Sequence, residues 1–304
     1  MLNFKQMKNL LVFFLIFILS DSLCSQTLEA ILAKESIDNS VDVSGTFNGT
    51  RIMNGQSIET RQQGVLEFLI QHRFGRINSG GYELYGLDES NIRFGLEYAV
   101  TDDFAIALGR SSFEKVYDGY VKYRLIKQKT GNKSTPLSIT LFASSVEKTL
   151  KDYAPSNKPS FSDRLVYTGQ VLIARKFNSA FSVQITPTYI HYNTPYSSID
   201  PNDIYAIGFG TKIKISKHLS VNGEYYYSVN SYESIATENS IALGLGIETG
   251  GHVFQLIFTN SRAMIEKGFI AETQGDFFNG DIHFGFNISR DFYLNKSKDE
   301  EKLY

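Results

Sequence analysis

The stretch IRFGLEYAVTDDFAIALGRSS, Ile92 to Ser112, decides the fold class. Ile92, Phe94, Leu96, Tyr98 and Val100 alternate with Arg93, Gly95, Glu97 and Ala99, so an extended chain puts one apolar and one polar face on opposite sides. Thr101, Asp102 and Asp103 then supply a tight polar turn, and a second strand candidate follows from Phe104 to Ser112. This is strand, short turn, strand, with a period of two that a helix cannot use.

The same pattern recurs along the chain. Gly64 to Phe74 alternates Leu66, Phe68, Ile70 and Phe74 with Glu67, Gln71 and Arg73. Further strands are expected over Tyr117–Lys127, Leu137–Ser145, Leu165–Phe177, Phe181–Asn193, Ile204–Ser216, Leu219–Ser228, Asn239–Thr249, His252–Ser261 and Asp281–Arg290. The connections alternate in length. Short turns fall at 101–103, 178–180, 216–218 and 249–251, and long polar loops at 76–90, 146–164, 194–202, 230–238 and 262–280. Two connections fit less neatly, since 113–116 is short for a long-loop position and 128–135 is long for a turn. About twelve antiparallel strands (twelve to fourteen), short turns on one side and longer loops on the other, describe an all-β fold, a closed up-and-down transmembrane β-barrel with its turns in the periplasm. The soluble alternative, a large β-sandwich, would carry more Lys and Glu opposite faces such as Phe254, Leu256 and Phe258.

The ends of the chain set the compartment. Lys5 and Lys8 precede an apolar run from Leu10 to Leu19 that ends at Ser20, Asp21 and Ser22. This is the order of a secretory signal, and the apolar part is too short to span a bilayer as a mature helix. Residues 1–25 are read as a cleaved signal peptide, and bacterial outer membrane after Sec-type export is the expected location. Cys24 is the one cysteine. Ser22 and Leu23 before it suit a lipid-anchored cysteine poorly, and cleavage near Ser25 would leave a mature chain without a thiol. Residues 26–63 are expected to be a periplasmic or lumen-inserted segment, within which Thr46–Met53 is either an extra strand or an insertion. Residues 64–293 form the barrel, and 294–304 a charged, disordered tail.

Net charge is −2 with both signs scattered, which points away from nucleic acid as a partner. Beyond the signal, nothing approaches the roughly 18 apolar residues of a membrane helix. Tyr and Phe are plentiful, Trp is absent and Pro scarce, as suits half-exposed strands.

Several segments resemble a family of membrane-bound β-barrel domains of unknown function, number 5777 of its series, found mainly in Bacteroidota. They are TRIMNGQSIET, IQHRFGRINSGGYELYGLD, GLEYAVTDDFAIALGRSS, YDGYVKYRL, IARKF, ENSIALGLGIETGGHVFQLIFTNS and GDIHFGFNISRDF, from Thr50 to Phe292. The resemblance implies an outer-membrane barrel, and it makes the stretch before Gly64 part of the domain. It implies no particular activity.

The candidate functional groups are those at inward strand positions: Glu67, Arg73, Arg93, Glu97, Lys122, Arg124, Lys212, Lys214, Glu224 and Glu248, with His283 at the rim. They would either line a small polar pore or fill the barrel as an ion-pair network. Lys and Arg outnumber Glu in this set, which would favour anionic solutes in an open pore. No two of the five histidines have metal-site spacing. His252 and His283 fall at opposite strand ends, and His72 and His191 near a rim, facing outward. An embedded lipid hydrolase would need a serine beside a histidine. His283 with Ser240 is conceivable, whereas Ser289 lies about 20 Å away along the strand. No Gly-x-Ser-x-Gly elbow is present. Glycines at 250, 251 and 280 are turn residues, so neither nucleotide nor any other cofactor is expected. The expected function is to pass small polar solutes or to act as a membrane-embedded partner of a periplasmic protein. A lipid hydrolase and a purely structural barrel are the alternatives.

Overall fold

The computed structural model describes residues 40–150 and 159–294. The signal segment, residues 26–39 and the tail from 295 lie outside the described residues. The chain divides into a small unit, to which Val41 and Gly131–Lys133 belong, and a main body of 42–130 and 134 onward.

The main body is a closed barrel of twelve antiparallel strands. They are β1 (Val65–Arg76), β2 (Ser90–Ala99), β3 (Phe104–Ser111), β4 (Val116–Ile126), β5 (Ser138–Lys148) and β6 (Leu165–Lys176). The second half is β7 (Phe181–Tyr192), β8 (Asp203–Lys214), β9 (Leu219–Ser228), β10 (Ser240–Thr249), β11 (His252–Thr259) and β12 (His283–Tyr293). Each strand pairs with its neighbours in sequence, and β12 closes on β1 with Tyr293 opposite Val65. Closure removes both sheet edges and rules out the sandwich. Strands of 8 to 12 residues suit a tilted crossing of the hydrocarbon layer.

The alternation sorts side chains as the period of two requires. Phe94, Leu96, Leu108, Leu243 and Phe258 point outward and are exposed, Leu108 to 72 %. A continuous outward face of this kind is stable against lipid and not against water. Inward, Glu67, Gln71, Arg73, Arg93, Lys122, Gln184 and Asn287 are buried.

The inner face divides along its length. Towards the long loops it turns apolar, with Val116, Val146, Val166, Ile190, Tyr192, Ile204 and Tyr226 packed around a short helix, α1 (Glu266–Ala271), from the loop between β11 and β12. Strands there are apolar on both faces. Nearer the turns it is polar and surrounds residues 43–63, which enter the barrel ahead of β1.

Candidate functional site

Residues 43–63 form an inward loop with both feet at the turn end. One foot is Val43, whose N–H donates to the Gln128 carbonyl. The other is Gln63, whose N–H donates to Asp102 Oδ1. The long turn between β4 and β5 is therefore long for a reason. The Gln128 side chain bonds both the N–H and the carbonyl of Lys176, holding a platform past which the segment enters. Lys176 Nζ and Lys212 Nζ donate to the carbonyls of Ser44 and Gly45 just inside.

Farther in, the segment has almost no regular structure, yet Thr46 to Ile58 is nearly all buried. Buried backbone groups need partners, and the wall side chains supply them. Glu224 accepts from the amides of Met53 (2.9 Å), Asn54 (2.9 Å) and Gly55 (3.1 Å). Gln255 Nε2 donates to the Ile52 carbonyl at 2.6 Å and Asn287 Nδ2 to that of Met53 at 2.7 Å. Gln184 accepts from the Ile58 amide and donates to the Gln56 carbonyl. Thr140 Oγ1 donates to the Ile58 carbonyl, and Lys122 Nζ reaches those of Thr50 and Glu59. Thr46–Met53 is thus an insertion and not an additional barrel strand.

Apolar contacts orient the segment. Phe47, Ile52 and Ile58 pack on Leu172 and Ala174 of β6, and Met53 packs on Ala242 and Ile257. Two glycines permit the close approach: a Cβ on Gly210 would lie 2.4 Å from Ile52 Cδ1, and one on Gly55 would lie 2.0 Å from the Tyr226 hydroxyl.

Charges are matched rather than left facing a channel. Arg93 grips Asp118 with two hydrogen bonds, Nε to Oδ1 (2.9 Å) and Nη2 to Oδ2 (2.5 Å), and gives a third to Gln71. Arg61 and Thr50 of the segment both donate to Glu67. Lys122 stands 3.9 Å from Glu97, which also accepts from the Tyr120 hydroxyl. Arg73 Nη2 donates to the Asn54 side chain at the segment's tip. A gap beside Thr50, Arg51 and Glu67 measures about 10 Å³, the room of one water. Towards the loops a larger cavity of about 500 Å³ opens, lined by Arg262, Glu114, Glu272, Tyr196 and His283 among others.

Of the groups expected to line the lumen, Glu67, Arg73, Arg93, Glu97, Lys122, Lys212, Glu224 and His283 are buried. Lys214 and Glu248 share their inward register but emerge exposed at the turn end. Arg124 belongs to the rim as well, bonded to Asp103 and to the Asp102 carbonyl. With those three removed and Asp118 added, the buried wall carries Arg73, Arg93, Lys122 and Lys212 against Glu67, Glu97, Asp118 and Glu224. The basic excess, and with it the preference for anions, disappears. Asp118 shares the parity of Lys122 and was there to be found by alternation. Arg51, Arg61 and Glu266 lie outside the strands and carry no such signal.

The histidines stay apart. His252 pairs with Arg290 at the turn end, while His283 pairs with Thr259 at the other. His283 Nδ1 is engaged with the Phe74 carbonyl at 2.8 Å, and Ser240 stands on β10, separated from β12 by β11. His72 faces outward, stacked on Phe286, and His191 binds Asp203 near the loop end.

An apolar outer belt around a closed sheet, with a polar interior, is the build of a membrane-spanning β-barrel. The chain belongs to the family described as Membrane bound beta barrel domain (DUF5777), whose model matches residues 47–292. That range takes in the inserted segment from Phe47 on and all twelve strands but for Tyr293 at the end of β12. Solved structures similar to it include the NanC porin (9 % identity, TM-score 0.47, 74 % of this chain and 98 % of that one). They also include the KdgM porin (10 %, TM-score 0.45, 74 % and 99 %). A third is the outer membrane protein Omp33 of Acinetobacter baumannii (10 %, TM-score 0.39, 76 % and 100 %). No curated protein matches the chain.

Proposed function

We propose that this chain is a bacterial outer-membrane barrel, exported behind residues 1–25, that is closed at rest by residues 43–63 and passes small polar solutes when that segment withdraws. The observation that carries this reading is the wall behind the segment. An inner surface of Glu67, Gln71, Arg93, Lys122, Thr140, Gln184, Glu224 and Asn287 accepts water once uncovered, whereas an apolar wall would not. The segment is also separable. It contributes no strand to the barrel, so its departure leaves the twelve-strand hydrogen bonding in place. Both of its feet lie at the turn end, the periplasmic face in this reading, where a periplasmic protein could draw on the chain ahead of Val43. The reading is one of transport and assigns no catalysis.

Planar-bilayer recording tests it. The full chain should seal the membrane or open rarely, and a variant lacking both residues 44–60 and residues 263–274, which carry α1 across the loop end, should give discrete steps. Cations and anions should pass about equally, because the buried wall charges balance. A deletion variant that folds, as shown by heat-modifiable migration, and still seals the bilayer refutes the proposal.

A further inference from the structure

The loop end of the lumen has a closure of its own. Every residue of α1 is buried. Phe269 meets Tyr226 edge to face with ring centres 5.1 Å apart, and Ile270 and Ala271 join the same apolar cluster. A buried latch completes it. Lys267 Nζ donates to both oxygens of Glu272 at 2.9 Å and to Glu114 Oε2 at 2.8 Å, and Glu114 also takes Lys148 Nζ at 2.6 Å. Glu114 sits in the four-residue connection between β3 and β4, where it and Lys115 both hold φ of 53° without being glycine. That backbone costs energy and persists where contacts over-determine it. The latch is such a contact.

The two closures touch. Arg51, on the segment from the turn end, donates through Nη1 to Glu266 Oε1 of α1 at 2.6 Å, and Gln56 Nε2 reaches the same oxygen at 3.0 Å. Both members of the ion pair are buried, at 2 % and 3 % side-chain exposure. Arg51 Nε and Nη2 have no hydrogen-bond partner among the described residues, so the bond to Glu266 is the one carboxylate contact there that holds this guanidinium.

We infer that the two closures work as one gate, in which displacement of α1 at the loop end releases residues 43–63 at the turn end. This rests on the reading that 43–63 is the movable closure. A departing α1 takes Glu266 with it and leaves Arg51 as a buried cation without its acid, a strongly unfavourable state. The segment is then driven towards water. Linkage makes the effect reciprocal, so that withdrawing the segment loosens α1. The cavity of about 500 Å³ lies beside the latch and is lined by both Glu114 and Glu272, so a solute arriving from the loop side reaches the carboxylates that hold Lys267.

Hydrogen–deuterium exchange on the full chain in detergent, read by mass spectrometry, tests the coupling in a double-mutant cycle. Lys267→Gln should speed exchange at the Met53, Asn54 and Gly55 amides by about tenfold or more, although Lys267 touches none of them. Glu266→Gln should do the same. In the double variant these amides should exchange no faster than in the faster single, because the latch acts on the segment only through the Arg51 pair. Unchanged Met53–Gly55 exchange in Lys267→Gln, or multiplying effects in the double, overturns the inference. Strand amides report whether the barrel is intact. Should Lys267→Gln lose that protection, Glu272→Gln weakens the same latch while leaving Lys267 paired with Glu114. The cycle stands apart from conductance: a deletion variant that stays sealed would sink the transport reading and leave the coupling measurable, and the reverse holds too.

Discussion

Glu224→Gln is the substitution that bears most directly on the closure. The carboxylate receives three successive backbone amides, from Met53, Asn54 and Gly55, at 2.9 to 3.2 Å. A hydrogen bond to a charged group contributes roughly 1.5–3 kcal/mol. Glutamine keeps one accepting oxygen and turns an NH₂ group where the other stood, so at least one buried amide faces a donor and loses its partner. The remaining bonds lose their charge assistance. Against this, removing the charge relieves its burial cost. The balance is a loss of about 2 kcal/mol, felt locally by the inserted segment. At about 1.4 kcal/mol per decade, the three amides should exchange roughly 30-fold faster. Strand amides on β9 should keep their protection, since the Glu224 backbone pairing with Ala242 is untouched. Exchange mass spectrometry resolves the two regions. Equal exchange of Met53–Gly55 in both proteins would refute the claim that Glu224 anchors the closure.

Phe269→Ala should cost about 3–5 kcal/mol, confined to the loop between β11 and β12, and limited proteolysis should then cut within 260–282 while the barrel stays intact. Arg93→Met strands Asp118 as a buried charge and should destabilise the barrel by about 3–5 kcal/mol in detergent denaturation, with Arg93→Met/Asp118→Leu recovering most of it. The latch should respond to acid. Burial alone would raise the Glu114 pKa, but Lys267 and Lys148 beside it hold it below the ordinary 4.5. A depressed carboxylate stabilises above its unfolded value and loses that stabilisation as pH falls through the folded one. Loop 260–282 should therefore stay resistant to an acid-active protease at a pH of about 4.5 and become cleavable only as the pH drops further. Cleavage already at a pH of about 4.5 would contradict this.

The barrel was legible because each strand declares itself in a window of about ten residues, apolar out and polar in. The observed ends differ from those expected by only a residue or two along most strands, with β6 ending at Lys176 and β9 spanning Leu219–Ser228. The larger differences have causes. β5 runs on to Lys148 because Val146 turns inward against the apolar cluster around α1. β12 begins at His283 and ends at Tyr293, shifted by a bulge against β1 between His283 and Gly285. The interior was far less legible. Inward apolar residues such as Ile190 and Ile204 look like any other strand residue until α1 is known to cover them. TRIMNGQSIET has no period because, beyond two backbone bonds within its own tight turn (Ile52 N–H to the Gly55 carbonyl, Ser57 N–H to the Thr50 carbonyl), its backbone is satisfied largely by wall side chains 63 to 234 residues away. No local window contains that information. Helical spacing at Leu28, Ile31 and Leu32 falls outside the described residues.

Those separations have a consequence for how the molecule comes together. The inserted segment leaves the ribosome before any strand, yet Glu224, Gln255 and Asn287, which receive its backbone, belong to the last third of the chain. Until β9, β11 and β12 are in place the amides of Met53, Asn54 and Gly55 and the carbonyls of Ile52 and Met53 lack these partners and are left to water. The segment must therefore stay solvated through most of assembly and settle when β12 meets β1, so that barrel closure and filling of the interior fall at the same late step. A chain interrupted before that seam forms would be left with its interior unfilled and its first and last strands unpaired. Such a chain is one that a folding-quality check could recognise.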